Sequence, residues 1–312
     1  MIIANPIYDT VFKFLLEDLT IAKKLISVII GEEVLELEVR PQEQTTPSNK
    51  FLLTVFRLDF KAIIKTANGE QKKVLIELQK SNHAYDIMRF RHYLGSNYSA
   101  SDVVNGEEVA LPVLPIYFLG FPLSIKHAVL KIGRQYQDIS SGEILHEKDS
   151  FIEKLSHDAY VVQITRLASE MQTKIDRILS IFNQKFLFNE ENKWLLSYQE
   201  NVEDEDLKLF LKRLSLAAET TEVQQQIRVE EIFDKSMDSL LREKEVVIEQ
   251  KEAVIEQKEA VIEQKEAVIE QKEAVIEQKE AVIEQKEAII EQKDLELEAL
   301  RKKIQELENK SK

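Results

Sequence analysis

The sequence predicts an α/β domain built on a mixed sheet, followed by a long C-terminal coiled-coil helix. Three observations carry this. In the first two hundred residues, apolar positions switch between helical 3–4 spacing and strand alternation, in the order helix, strands, helix, strand. The longest apolar run, Ala110–Leu123 (ALPVLPIYFLGFPL), is broken by Pro112, Pro115 and Pro122. It is too short to span a bilayer and reads as a buried strand with proline at its entry. Finally, from Glu249 to Ile290 the unit EQKEAVI stands six times in tandem, with Ile289 replacing Val in the last copy. A seven-residue period without Gly or Pro is a coiled-coil signature.

Element by element, Asp9–Gly31 reads as one amphipathic helix, with apolar residues from Val11 to Ile29 at 3–4 spacing and Gly31 as its stop. Val34–Val39 alternates as a strand. Phe51–Lys65 is apolar and β-branched, Thr66–Gln71 (TANGEQ) is a turn, and Lys72–Gln79 is the next strand. His83–Ser101 is a helix, Leu111–Phe121 a buried strand, and Ala128–Arg134 and Tyr160–Thr165 further strands. Residues 203–241 form a helical connector: Leu207, Phe210, Leu211 and Leu214 make one helical face, and a second helix from Glu222 leads onward. The expected divisions are therefore 1–202, 203–241 and 242–312.

In the C-terminal part, Leu297, Leu300, Ile304 and Leu307 fix the heptad as a, d, a, d. Counting back places Ile290, Ile283 and their predecessors at a, with Val at g and Lys at d. Only one layer per heptad is a normal core layer, and Val at g widens the seam toward a higher oligomer. Glu252 and Glu256 repel at i,i+4. Two readings stand: an oligomerisation stalk on the order of 100 Å long, or a solvated, partly helical tail.

Composition narrows the chemistry. The 312 residues carry a net charge of −14, so any nucleic-acid contact is local. The absence of cysteine removes disulfides, Cys-ligated zinc, Fe–S clusters and thiol catalysis. The five histidines lack paired-ligand spacing, and no phosphate-cradling glycine motif occurs. No targeting segment or membrane span is visible, which gives the expectation of a soluble, cytoplasmic protein.

Chemistry concentrates in Arg57–Lys80. Asp59 and Glu77 interrupt otherwise apolar strands, where an uncompensated carboxylate costs several kcal/mol. If Ala67-Asn68-Gly69 is a three-residue hairpin loop with Gly69 left-handed, Thr66 pairs with Glu70. Asp59 then falls opposite Glu77, with Gln79 on the same face. That oxygen-rich set suits Mg²⁺ or Mn²⁺. On the residues alone, an ordinary partly exposed sheet face is the competing reading. Between Arg57 and Tyr93 there are eight Lys/Arg against four Asp/Glu, a local +4. Lys61, Lys65, Lys72, Lys73, Lys80, Arg89 and Arg91 are candidates for phosphate contact, set against a solvated hairpin face.

Several of these residues form an ordered pattern. Asp9-Thr10-Val11-Phe12-Lys13, then Asp59, then Ile76-Glu77-Leu78-Gln79, then Arg89, Arg91 and Tyr93 resemble the motifs of the PD-(D/E)XK nuclease family transposases, the Rpn family of recombination-promoting nucleases. The resemblance covers about Asn5–Leu216. It implies a restriction-endonuclease-like mixed sheet flanked by helices, and a Mg²⁺-dependent endodeoxyribonuclease acting in DNA recombination or transposition. It implies Asp59, Glu77, Gln79, Lys80, Asp9 and Lys13 as catalytic residues, with metal held by Asp59, Glu77 and Asp9. Lys61, Lys72, Lys73, Arg89 and Arg91 would contact duplex DNA with low sequence specificity. Leu58 stands where the superfamily has its name-giving proline, and Gln79 where it has its lysine. Lys80 on a regular strand faces away from Glu77, and Lys13 is an alternative source of charge. Asp9 also fits a first-turn helix carboxylate, and Lys13 a surface lysine. The alternative function is a catalytically inactive nuclease-fold protein that works by interaction, oligomerised through its coiled coil.

Overall fold

The computed structural model of the chain describes residues 1–40, 43–46, 54–57, 60–80, 84–167 and 172–310. It divides into two compact units, Met1–Asp234 and Lys235–Lys312.

The first unit opens with β1 (Ile2–Ala4), α1 (Asp9–Leu16) and α2 (Leu19–Ile30). The expected single helix is thus two. Asp18 ends the run by capping α2, its carboxylate accepting from the amides of Thr20 at 2.9 Å and Ile21 at 3.2 Å. A short acidic side chain that bonds its own following backbone favours a cap over a helix interior. Gly31 closes α2 in the left-handed conformation, φ 72°, as the sequence suggests.

Next come β2 (Val34–Val39), a hairpin of β3 (Glu43–Thr46) and β4 (Thr54–Arg57), then β5 (Phe60–Thr66), β6 (Gln71–Gln79) and α3 (Ala84–Ser99). Strands β7 (Asp102–Val104) and β8 (Glu107–Val109) form a second hairpin, followed by β9 (Val113–Leu119) and β10 (Val129–Ile132). After β11 (Tyr136–Gln137), β12 (Ile144–Leu145), α4 (Ser150–Leu155) and β13 (Ala159–Gln163) come α5 (Lys174–Leu179), β14 (Leu195–Ser197) and α6 (Glu205–Glu219). Helix α7 runs Thr221–Lys310.

Six strands form one mixed sheet in the order β10-β13-β9-β6-β5-β2. The neighbours β13/β9 and β9/β6 are parallel, and the other pairs are antiparallel. Pro115 sits inside central β9 because it pairs with β6 at Leu75, whereas the ladder to β13 starts one residue later, at Ile116. The amide it lacks falls where one neighbour's ladder has not begun.

The two faces of the sheet have different covers. Val74, Ile76 and Leu78 of β6 join the main core with Phe12 and Leu15 of α1, Ile26 of α2 and Phe210 of α6. Phe12, Phe118 and Phe182 cluster there, with ring centroids 4.9–6.0 Å apart. On the other face Leu75 packs with Val113 and with Phe90 and Tyr93 of α3. The apolar face of α6 expected from sequence (Leu207, Phe210, Leu211, Leu214) is buried in the main core, so this helix is part of the first unit.

In the second unit α7 is exposed along its repeats, with Val254 at 48% and Ile255 at 54% in the single chain, a pattern that recurs at each copy. Among the described residues no helix is long and apolar enough to cross a membrane.

Candidate functional site

The hairpin between β5 and β6 sets the register of the candidate site. The Gly69 amide donates to the Thr66 carbonyl at 2.9 Å, and the Thr66 amide to the Glu70 carbonyl at 3.0 Å. Gly69 has φ 85°, so Ala67-Asn68-Gly69 forms the three-residue loop with a left-handed glycine that the sequence predicts. The ladder follows in the expected register from Lys65↔Gln71 to Phe60↔Ile76. Asp59, next along the chain, lies outside the described residues.

Glu77 is buried to 2% exposure and Gln79 to 8%. Side chains alternate along a strand, so both share the face of Leu75, beneath α3, while Val74, Ile76 and Leu78 face α1. Tyr117 pairs with Glu77 across the parallel ladder and stacks on Phe90 at 4.3 Å. Burial, and then the charge of Glu77, push the Tyr117 phenol above its usual range. Where β6 ends, the Gln79 carbonyl accepts from the Gly120 amide at 2.8 Å. A Cβ on Gly120 would stand 3.0 Å from the Lys80 carbonyl oxygen and 3.1 Å from Lys80 Cα, so only glycine lets these strand ends approach this closely.

Lys80 turns to the other side, as the alternation predicts. Its ammonium lies 4.8 Å over the Tyr8 ring, pairs with Glu230, and meets Asp234 at 2.9 Å. Burial works against that charge, but Glu230 and Asp234, with Asp9 behind them, outweigh it and hold the Lys80 pKa above the usual lysine range. Asp9 is the first residue of α1, after an N-cap, Tyr8, whose side chain does not cap. The amides of Asp9 and Thr10 instead donate to the two carboxylate oxygens of Glu230, at 2.9 and 3.1 Å. At the other end of α1, the Arg213 guanidinium donates to the Phe14 carbonyl at 2.7 and 3.0 Å. Helix α1 is thus held by a carboxylate at its positive end and a guanidinium at its negative end.

The sequence-derived site residues therefore fall into two groups at the end of β6. Glu77 and Gln79 lie under α3, whereas Asp9, Lys13 and Lys80 belong to the side of α1. Among the described residues no group of three or more His, Cys, Asp and Glu is placed to hold a metal ion.

The basic candidates divide as well. Lys73 is 1% exposed, contacts Asp102 at 2.6 Å and donates to the Asn97 carbonyl at 2.9 Å, so its ammonium is committed inside the unit. Lys61 is half-buried, and burial and then the Lys73 charge lower its pKa. Lys72 bridges Glu70 at 2.8 Å and Glu32 at 3.5 Å, and Lys65 pairs with Glu36 at 3.0 Å. Arg91 is exposed on α3, and the Arg89 side chain lies outside the described residues. Tyr93 is a core residue at 1% exposure.

The carboxylates Glu230, Glu231 and Asp234 are absent from the sequence reading. On their own helix they look like an ordinary solvated face, and their partners lie 150 to 223 residues away. No family model matches the sequence, and no curated protein or solved structure matches the chain.

Proposed function

We propose that Met1–Asp234 is a metal-dependent DNA endonuclease domain that hydrolyses phosphodiester bonds, with a restriction-endonuclease-like arrangement of its mixed sheet. The observation that carries this reading is Glu77: a carboxylate 2% exposed, in a strand of Val, Leu and Ile, with Gln79 buried beside it. A buried carboxylate beside a buried side-chain amide offers the oxygen ligands that a hard cation takes. Glu77, together with Asp59 earlier in the sequence, would hold Mg²⁺ or Mn²⁺. When bound, such an ion activates water and stabilises charge on a phosphodiester. Gln79 would orient water by hydrogen bonding, since a neutral amide supplies no charge. The motif order in the sequence connects this chemistry to DNA recombination or transposition.

The second unit supplies the assembly. A helix that leaves Val and Ile half-exposed in every heptad has an apolar stripe that a second copy would cover. We infer a homo-oligomer through these repeats, which would bring together two active sites, since cutting both DNA strands takes two subunits or two successive events.

The test is nicking of supercoiled plasmid by the full chain with Mg²⁺, with EDTA, and with Asp59→Ala or Glu77→Ala. Nicking that needs the metal and both carboxylates is the expected result. No cleavage by folded wild type in Mg²⁺ or Mn²⁺ overturns the enzyme reading and leaves a nuclease-fold interaction protein.

A further inference from the structure

The first turns of helix α7, which belong to the first unit, are held within it in two different ways. The start of the helix is held by apolar burial, with Val223 5% and Ile227 1% exposed. Beyond them Val229, Ile232 and Phe233 all point to solvent. What fastens this stretch is a set of three carboxylates. Glu230 receives the amides of Asp9 and Thr10 and pairs with Lys80, Asp234 meets Lys80, and Glu231 accepts from the Tyr8 hydroxyl at 3.0 Å. These are charge-assisted contacts of the kind that a phosphate group makes with an ammonium and backbone amides. They hold the one lysine that directly follows Glu77-Leu78-Gln79.

We propose that this acidic turn is a self-inhibitory latch: Glu230 and Asp234 occupy Lys80 in place of a backbone phosphate, and duplex DNA must displace them to engage the end of β6. The latch rests on the reading of this unit as a DNA-binding nuclease. Its three carboxylates lie outside Asn5–Leu216, the stretch that resembles the nuclease family, whereas their partner Lys80 lies within it. Carboxylate and phosphate compete for one ammonium, so opening is coupled to DNA binding and needs no apolar surface to be torn apart. The buried Val223 and Ile227 keep the helix attached when the latch is open.

The experiment measures binding of a short labelled duplex by fluorescence anisotropy, using the full chain with Ca²⁺ in place of Mg²⁺. Wild type is compared with Glu230→Gln/Asp234→Asn. The control, Glu243→Gln/Glu249→Gln, removes the same two charges from an exposed part of the same helix. The latch variant should bind about tenfold tighter, the value of one regained charge-assisted contact. The control should stay near wild type, and Lys80→Met in the latch variant should abolish the gain. Because Glu230 also caps α1, folding is checked through the single Trp194, and Asp234→Asn alone, which spares the cap, should give a smaller gain of the same sign. Equal affinity of latch variant and wild type, or an equal gain in the control, overturns the latch. Tighter binding with no cleavage in Mg²⁺ or Mn²⁺ by either chain refutes the nuclease reading and leaves the latch in place.

Discussion

The buried pair Lys73–Asp102 is the most exacting place to perturb this structure. Lys73 stands two strand positions from Leu75 and four from Glu77, on the same face, and ties β6 to Asp102 of β7 and the Asn97 carbonyl of α3. With exposures of 1% and 7%, both charges are largely removed from solvent. Asp102→Asn removes the countercharge and strands the ammonium. Breaking one side of a buried pair costs about 3–5 kcal/mol. The remaining hydrogen bond to Asn97 and the slight exposure of Asp102 place this case at the low end, about 3 kcal/mol. For a unit of this size that corresponds to a drop in Tm of roughly 6–12 °C. Replacing both partners, Lys73→Met/Asp102→Leu, should recover most of the loss, because no uncompensated charge is left. The assay is urea and thermal unfolding followed by Trp194 fluorescence, which reports the first unit without the helical signal of α7. A single variant within about 0.5 kcal/mol of wild type, or a double variant as unstable as the single, would refute the reasoning.

Two further expectations follow. Burial works against the Asp158 carboxylate, but Arg134 donates to it from Nε at 2.9 Å and from its backbone amide at 3.0 Å, and the result is a pKa below the usual carboxylate range. The unfolded chain therefore takes up this proton first as pH falls, so the pair's stabilisation is complete above about pH 4 and is lost as pH drops through the lower folded value. Arg134→Met should flatten that acid limb of the stability curve, and an unchanged limb contradicts the assignment. If the repeats assemble the chain, light scattering should give an oligomer for the full chain and a monomer after deletion of Glu243–Lys312, whereas an unchanged oligomer number would remove the stalk from the account.

How far the sequence reaches depends on the range of the interaction. The β5–β6 register is legible because it is local: a three-residue Ala67-Asn68-Gly69 loop fixes every pair up to Phe60↔Ile76, whereas a two-residue loop would shift the ladder by one. The side on which Lys80 falls follows from the same alternation. The break at Asp18 was missed because the apolar spacing runs straight through it, although a lone Asp between Glu17 and Leu19 is a cap signal. The β7–β8 hairpin was also missed. Its signal was present, since Asn105-Gly106, with φ 54° and 83°, is the dipeptide that two-residue turns favour. That omission hid the partner of Lys73, which was grouped with the surface lysines because a lysine in a strand is usually solvated. The Lys80–Glu230 contact could not be read at all, since neither residue's neighbours reveal an ion pair 150 residues long.

The central claim is that Glu77 is a divalent-cation ligand, and Mn²⁺ binding measured by electron paramagnetic resonance tests it most directly. The account predicts that the full chain binds Mn²⁺ at a site that Mg²⁺ displaces, and that Glu77→Gln and Asp59→Asn each abolish this site while Trp194 fluorescence shows the unit still folded. Mn²⁺ binding that is the same in wild type and in folded Glu77→Gln would contradict it.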